Sequence, residues 1–400
     1  MINATILFLA VSDCSNHRLG RYPELDNHVH QDLDKTFYEP LKQFFTNVIR
    51  YDFLKRYVEV GARKADQEIE KDCLEVLQSF DQLNVLDGKT FLITGSNGLI
   101  GNYLVTLLDV ANKRFNTNIK AYCLSKHPPR WRNDSFTFIT QDLSQPFQFE
   151  HQVDYIIHAA CYARPEKFLS NELETIALNV NATQILLEVA KRYSAKFLFL
   201  SSSEIYGNPP QTEMPTKETY PGNSLTSSTR AAYVESKRLG EALCFIYHRN
   251  FRVEAKVARL ASVYGPGISL DDERVMGNFM KKALIDGHIQ LLDSGRALRT
   301  YCYITDAVRM LLNILLRGKE NIYNVGGIET ISILDLARLI AQKCGATYAA
   351  TPGEGLKDAP DIVRLDVTKV REEFGIKEFT SIEDGLAKTI EWNKQQGKRG

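Results

Sequence analysis

The sequence predicts an α/β chain built on a doubly wound parallel sheet, with a small C-terminal lobe and an N-terminal α/β appendage. Three observations carry this expectation. Short apolar runs alternate with amphipathic stretches between residues 87 and 259, as a parallel sheet wrapped by helices requires. The first of these runs leads directly into a glycine-rich turn, Thr94-Gly95-Ser96-Asn97-Gly98-Leu99-Ile100-Gly101. Beyond Arg259 the pattern becomes irregular and rich in Gly, Pro and Asp, which suits a smaller lobe.

Four hundred residues exceed one ordinary domain. The reading divides them into 1–86 (appendage), 87–265 (sheet domain) and 266–400 (mainly the smaller lobe), with elements returning to the sheet around 299–328. A hydrophobic fraction of 44% and a charged fraction of 24% are globular values. Lys+Arg and Asp+Glu are equal at 49 each, with no basic stripe, so nucleic acid is not an expected partner. An anionic ligand must be held by local groups.

The seven cysteines, Cys14, Cys73, Cys123, Cys161, Cys244, Cys302 and Cys344, form no CxxC pair, so no metal site is expected and reduced thiols in the cytoplasm are. Met1–Val11 lacks the basic start and cleavage site of a signal peptide. No apolar run approaches the roughly 18 residues of a membrane span.

In order along the chain, Thr5–Val11 and Asn47–Phe53 read as strands, and Asp34–Phe45 and Ala62–Phe80 as helices. The second helix gathers Ile69, Cys73, Val76 and Leu77 on one face. This block holds no phosphate loop and no catalytic cluster, and reads as a docking or dimerisation appendage. A turn at Leu86-Asp87-Gly88-Lys89 then opens the main unit. Its strands are Thr90–Thr94, Ile119–Leu124, Phe136–Thr140, Val153–His158, Lys196–Ser201 and Glu254–Arg259. Tyr323–Gly327 and helices over Ser332–Cys344 and Ser381–Trp392 complete the chain.

The glycine-rich turn has the mechanics of a dinucleotide-binding loop. Gly95 permits the tight turn, Gly98 lets a pyrophosphate approach the backbone, and Gly101 lets helix and strand pack closely. Asn97, Leu99 and Ile100 lie between them, where the helix N-terminus offers free N–H groups and a positive dipole. The second strand should end in Asp or Glu to hold the ribose 2′-hydroxyl. It ends instead in Ser125 and Lys126. These suit the 2′-phosphate of NADP, and an ordinary loop with NAD held through other groups suits them equally. The choice between NAD and NADP stays open here.

Tyr233 and Lys237 stand one helical turn apart on one face. A free phenol has a pKa near ~10, and a neighbouring ammonium is expected to lower it, so that Tyr233 can accept a hydroxyl proton. Ser202, in the run Ser201-Ser202-Ser203-Glu204 that ends the fifth strand, lies at the carboxyl edge where such sheets bind ligands. A phosphate-loop strand, then a serine cluster, then YxxxK is a specific order.

With these residues in view, 87–395 resembles the extended short-chain dehydrogenases/reductases, the epimerases, dehydratases and decarboxylases that act on nucleotide sugars. The stretch Arg230-Ala-Ala-Tyr233-Val-Glu235-Ser-Lys237-Arg238 with Glu241, Cys244 and Tyr247 is most similar to the UDP-glucuronate decarboxylase group. The resemblance implies a Rossmann-type fold with a C-terminal substrate lobe, a homodimer and a UDP-linked sugar substrate. It also implies that Asp142 and Leu143 contact the adenine and that Ala159 and Ala160 lie against the cofactor. Arg274 and Asn278 would lie along the nucleotide, with Arg299 near the diphosphate. Ser203 stands where the dehydratases carry an acidic Asp, and Glu204 remains. Phe168 stands where the decarboxylases carry a sugar-contacting Tyr, and Arg164 and Lys167 nearby are candidate replacement cations.

The leading expectation is oxidation at C4 of a UDP-hexuronate with bound NAD, followed by loss of CO2. Ser202, Glu204, Tyr233, Lys237 and Arg299 would carry the chemistry. A C4 epimerase and an NADPH-dependent 4-keto-sugar reductase remain as alternatives, because fold alone does not choose among them.

Overall fold

The computed structural model describes residues 67–80, 83–129, 131–353 and 360–397. The elements expected over Thr5–Val11, Asp34–Phe45 and Asn47–Phe53 lie outside these residues. Of the helix expected over Ala62–Phe80, residues 67–78 are helical (α1).

The centre is a seven-stranded sheet. Its strands in chain order are β1 (Thr90–Thr94), β2 (Lys120–Ser125), β3 (Phe136–Thr140), β4 (Tyr155–His158), β5 (Lys196–Ser202), β6 (Ala255–Leu260) and a returning strand over Ile322–Val325. The spatial order is Ile322–Val325, β6, β5, β4, β1, β2, β3, and every neighbouring pair is parallel. The order reverses between β1 and β4, which makes their carboxyl ends the switch point where ligands bind.

Alternating side chains feed two separate cores, as a period of two demands. Phe91 and Ile93 of β1 join a core with Leu198 and Leu200 of β5, while Leu92 joins another with Phe197 and Phe199. The first core is covered by α1, α2 (Leu99–Phe115) and a helix over Ile304–Arg317. The second is covered by α3 (Ala182–Tyr193) and α4 (Ala231–Phe251), which contribute Leu186, Leu187, Cys244 and Tyr247. Helices on both faces explain why the strands read as near-continuous apolar runs.

The C-terminal lobe is built on a small sheet. Its middle strand, Leu298–Tyr303, pairs antiparallel with Thr330–Ser332 and parallel with Ile362–Val363 and Ser262–Tyr264. The helix over Ile333–Cys344 begins where expected because Ser332 caps it, its hydroxyl accepting from the Asp335 N–H at 2.9 Å. Among the described residues no helix is long and apolar enough to cross a membrane.

Candidate active site

The phosphate loop joins β1 to α2 as the glycine spacing requires. Gly95 has φ +70°, and a Cβ there would fall 2.8 Å from backbone atoms of Ala159 and Ala160. A Cβ on Gly101 would run into the Gly95 carbonyl oxygen. Glycine is thus needed at both positions to bring α2 and the loop after β4 together. The α2 N-terminus has no side-chain cap and no acidic residue in its first turn. Its N–H groups and dipole stay available to an anion, and the cradle fits a dinucleotide pyrophosphate.

A buried relay holds the loop after β4 in place. The Ala160 N–H donates to Thr94 Oγ1 at 3.2 Å, and Thr94 lies 2.7 Å from His158 Nδ1. His158 Nε2 lies 3.0 Å from the Leu178 carbonyl oxygen. That carbonyl can only accept, so Nε2 carries the hydrogen and the Thr94 hydroxyl donates to Nδ1. Burial, with Lys237 adding to it, pulls the His158 imidazole down to about 3, so the ring is neutral at physiological pH.

At the end of β2 the candidate cofactor residues are tied to each other. The Ser125 hydroxyl donates to the His127 carbonyl at 2.5 Å, and the Asn97 amide donates to the His127 and Pro128 carbonyls at 2.9 Å each. Lys126 pairs with Asp142 at 2.8 Å and donates to the Tyr162 hydroxyl at 3.2 Å. The hydrogen bonds to Asp142 and Tyr162 push the ammonium up to about 12. Burial alone would raise the Asp142 carboxyl, but Lys126 and Ser144 outweigh it and hold it below its usual range. Leu143 is buried in the second core, and Leu99 and Ile100 pack against the first.

The catalytic candidates converge where β5 ends and α4 begins. Ser202 closes β5, and its oxygen accepts from the Glu204 N–H at 3.2 Å, capping the short helix Ser203–Tyr206. Ser203 opens that turn and is half-buried. Tyr233 and Lys237 lie in the first two turns of α4 and are both buried. The Lys237 ammonium donates to the Leu200 carbonyl at 2.7 Å and sits 6.0 Å from the Tyr233 ring centre.

The expected lowering of the Tyr233 pKa is not what this arrangement gives. Burial pushes the phenol well up, the Cys161 thiol adds to this, and the Ser202 hydroxyl and Arg274 only partly oppose it. Phe168 is part of that burial, stacked flat on Tyr233 with ring centres 4.6 Å apart and planes 13° apart. In place of the sugar-contacting tyrosine that the resemblance implied, Phe168 is a buried wall of the catalytic ring. Desolvation outweighs the Ser202 hydroxyl and Arg274, while the Lys237 ammonium donates to a backbone carbonyl.

Arg230 is the residue that sequence reasoning passed over. Its guanidinium sits 5.1 Å from the Phe168 ring centre. It also grips Glu204 in a fork, Nε to Oε2 at 2.8 Å and Nη2 to Oε1 at 2.7 Å. Glu204, Arg230, Phe168 and Tyr233 therefore form one continuous stack. The position of Arg230, one turn before Tyr233, was a visible signal, but its partners come from two other segments.

The remaining cations surround this stack. Arg299 lies in the middle strand of the small sheet and donates to the Leu298 and Asp361 carbonyls at 2.8 and 3.2 Å. Burial holds its guanidinium below its usual value, with Tyr301 and Glu204 working the other way. Arg274 forks onto the buried Asp272 carboxylate, its shortest contact 2.6 Å. Burial opposes its charge, and Asp272 more than restores it. Arg164 donates to the Asp271 carbonyl at 3.2 Å, linking the loop after β4 to the Arg274 segment. Asn278 is half-buried, and its N–H bonds the Arg274 carbonyl at 2.9 Å.

Comparison with known proteins agrees with this geometry. Residues 91–326 match the NAD dependent epimerase/dehydratase family. The chain is 32% identical over 306 residues to UDP-glucuronic acid decarboxylase 5 of Arabidopsis thaliana, covering 74% of this chain and 86% of that one. It is 30% identical over 336 residues to UDP-glucuronic acid decarboxylase 1 of Xenopus tropicalis, covering 84% of this chain and 79% of that one. Among solved structures, MoeE5 in complex with UDP-glucuronic acid and NAD superposes with a TM-score of 0.63 at 23% identity, covering 76% of this chain and 99% of MoeE5. The protein thus belongs to the NAD dependent epimerase/dehydratase family of extended short-chain dehydrogenases/reductases, whose dinucleotide is NAD.

Proposed function

We propose that the chain decarboxylates a UDP-hexuronate, UDP-glucuronate in the first instance, through a 4-keto intermediate. The observation that carries this reading is the segment Ser202-Ser203-Glu204 against Tyr233. A hydroxyl stands beside the catalytic serine, and the one carboxylate that follows is gripped by Arg230. A dehydratase needs a proton donor for a departing hydroxyl, and Ser203 is a poor one. A decarboxylase needs none there. The identity to two UDP-glucuronic acid decarboxylases supports the same choice.

Gly95, Gly98 and Gly101 would hold NAD, which would supply a reversible hydride acceptor for the substrate C4. Ser202 orients the C4 oxygen by hydrogen bonding, and Tyr233 takes its proton. Lys237 and Arg274 favour the phenolate that this step requires. The ketone formed at C4 lies β to the C5 carboxylate. The bond from C5 to the carboxylate then breaks, CO2 leaves, and the electron pair is delocalised onto the ketone oxygen. Arg299 and Arg230 supply positive charge for the sugar carboxylate and the enolate. Glu204, held by Arg230, positions the proton that C5 gains. Tyr233 finally returns its proton to the C4 oxygen.

The test is incubation with UDP-glucuronate and catalytic NAD. The expected outcome is CO2 release and a UDP-pentose by mass spectrometry, without net NADH. An isomer of unchanged mass would overturn the reading in favour of a C4 epimerase. Inert UDP-glucuronate, with NADPH consumed only when a keto-sugar is added, would overturn it in favour of a reductase.

A further inference from the structure

The end of β2 departs from the usual way of reading the dinucleotide. A carboxylate there accepts from the ribose 2′-hydroxyl, and a cation there favours a 2′-phosphate. This strand ends in a serine followed by a lysine, a pair that on composition alone leaves the choice open. The side-chain geometry favours the hydroxyl.

A serine hydroxyl has one proton to give and two lone pairs. The Ser125 proton is committed to the His127 carbonyl at 2.5 Å. That carbonyl is pinned in turn by the Asn97 amide of the phosphate loop at 2.9 Å, and the same amide holds Pro128. Ser125 is therefore left as an acceptor. A ribose hydroxyl can donate to an acceptor, whereas a 2′-phosphate at neutral pH presents mainly acceptors.

Lys126 is not a spare cation. β2 and β3 are paired neighbours with Ser125 opposite Thr140, so Lys126 and Asp142 follow adjacent strand ends. The ammonium meets the Asp142 carboxylate at 2.8 Å and the Tyr162 hydroxyl at 3.2 Å. Asp142 is itself fixed by the Ser144 N–H at 3.0 Å and hydroxyl at 2.7 Å. A 2′-phosphate would have to displace a carboxylate already held by two other donors, and would face that carboxylate's repulsion while doing so.

We propose that Ser125, Lys126 and Asp142 form the 2′-reading device of this chain: Ser125 accepts from a free ribose hydroxyl, and Asp142 neutralises Lys126 so that it does not recruit a 2′-phosphate. The device rests on the dinucleotide seat and not on the sugar reaction, so it can fail while the decarboxylase reading stands, and the reverse.

Isothermal titration calorimetry with NAD and with NADP, on purified protein freed of bound nucleotide, tests this without turnover. The wild-type chain should bind NAD more tightly than NADP. Asp142→Asn frees Lys126 and should raise NADP affinity relative to NAD by about tenfold, the scale of one charge-assisted hydrogen bond. Adding Lys126→Ala to that variant should cancel the gain. Ser125→Ala should weaken NAD and leave NADP unchanged. Wild-type affinity for NADP equal to or above that for NAD overturns the proposal. So does an unchanged ratio in an Asp142→Asn protein that still binds NAD. Ser125→Ala decides the matter even if Asp142→Asn does not fold, because unchanged NAD affinity in that variant would show that Ser125 reads no ribose hydroxyl.

Discussion

At Tyr233, burial and nearby charge pull in opposite directions. The YxxxK spacing made the Tyr233–Lys237 pair legible in the sequence, and the helix delivers both residues to one face. The balance between the two effects was not legible. It depends on how deeply the ring is buried, with Phe168 of the short helix Pro165–Ser170 stacked on it, and on Leu200, whose carbonyl takes the Lys237 donor at 2.7 Å. Long-range stacking leaves no periodic trace in a sequence. Burial favours the phenol form of Tyr233, and its hydroxyl is the group that matters. Tyr233→Phe keeps the ring, the stack on Phe168 and the apolar contacts. It should lower kcat by about 10²-fold or more, the scale of a positioned acid–base group, while dinucleotide affinity measured by calorimetry stays at the wild-type value. A near-normal rate would remove Tyr233 from the mechanism.

Among the elements, the strands were the most readable. Thr90–Thr94 and Phe136–Thr140 are found with the expected bounds, and the other four differ by a residue or two at their ends. Fully buried parallel strands show as short apolar blocks between turns, so their limits are marked even without alternation. Pairing order and register are not marked, and it is the pairing of β2 with β3 that brings Lys126 and Asp142 to neighbouring strand ends. Helix contacts are hidden in the same way. α4 lies close enough to β5 that a Cβ on Gly240 would fall 2.5 Å from the Phe199 ring and 2.8 Å from the Asn179 carbonyl oxygen. Gly240→Ala should therefore push α4 outward and cost about 1–3 kcal/mol by overpacking, measured by urea denaturation. Because α4 carries Tyr233 and Lys237, turnover should fall further than the loss of folded protein explains. Unchanged stability and rate would show that α4 has room to spare.

For the whole molecule, the question is where the catalytic unit begins. Composition and motif content placed a boundary after Leu86, because residues 1–86 carry no chemistry of their own. The geometry argues for extending the unit to include α1. Asp72 on this helix is fully buried and accepts from the Tyr103 hydroxyl of α2 at 2.9 Å, the Tyr303 hydroxyl of the small sheet at 3.0 Å and the Lys388 ammonium of the C-terminal helix at 3.1 Å. Cys73, Val76 and Leu77 on the same face are buried in the first core. One carboxylate thus ties the phosphate-loop helix to the lobe that carries Arg299. The spacing of Ile69, Cys73, Val76 and Leu77 revealed the apolar face of α1, but nothing local revealed what it covers. A chain starting at residue 87 would lose that cover and expose the apolar surface beneath α1 to water, at about 25 cal/mol for each Å² uncovered, against a typical total stability of about 5–15 kcal/mol. It should be insoluble, or melt well below a chain starting at residue 61, which retains α1. The longer chain should show a cooperative thermal transition and bind NAD. Equal melting temperatures and equal NAD affinity in the two chains would return α1 to the status of an appendage.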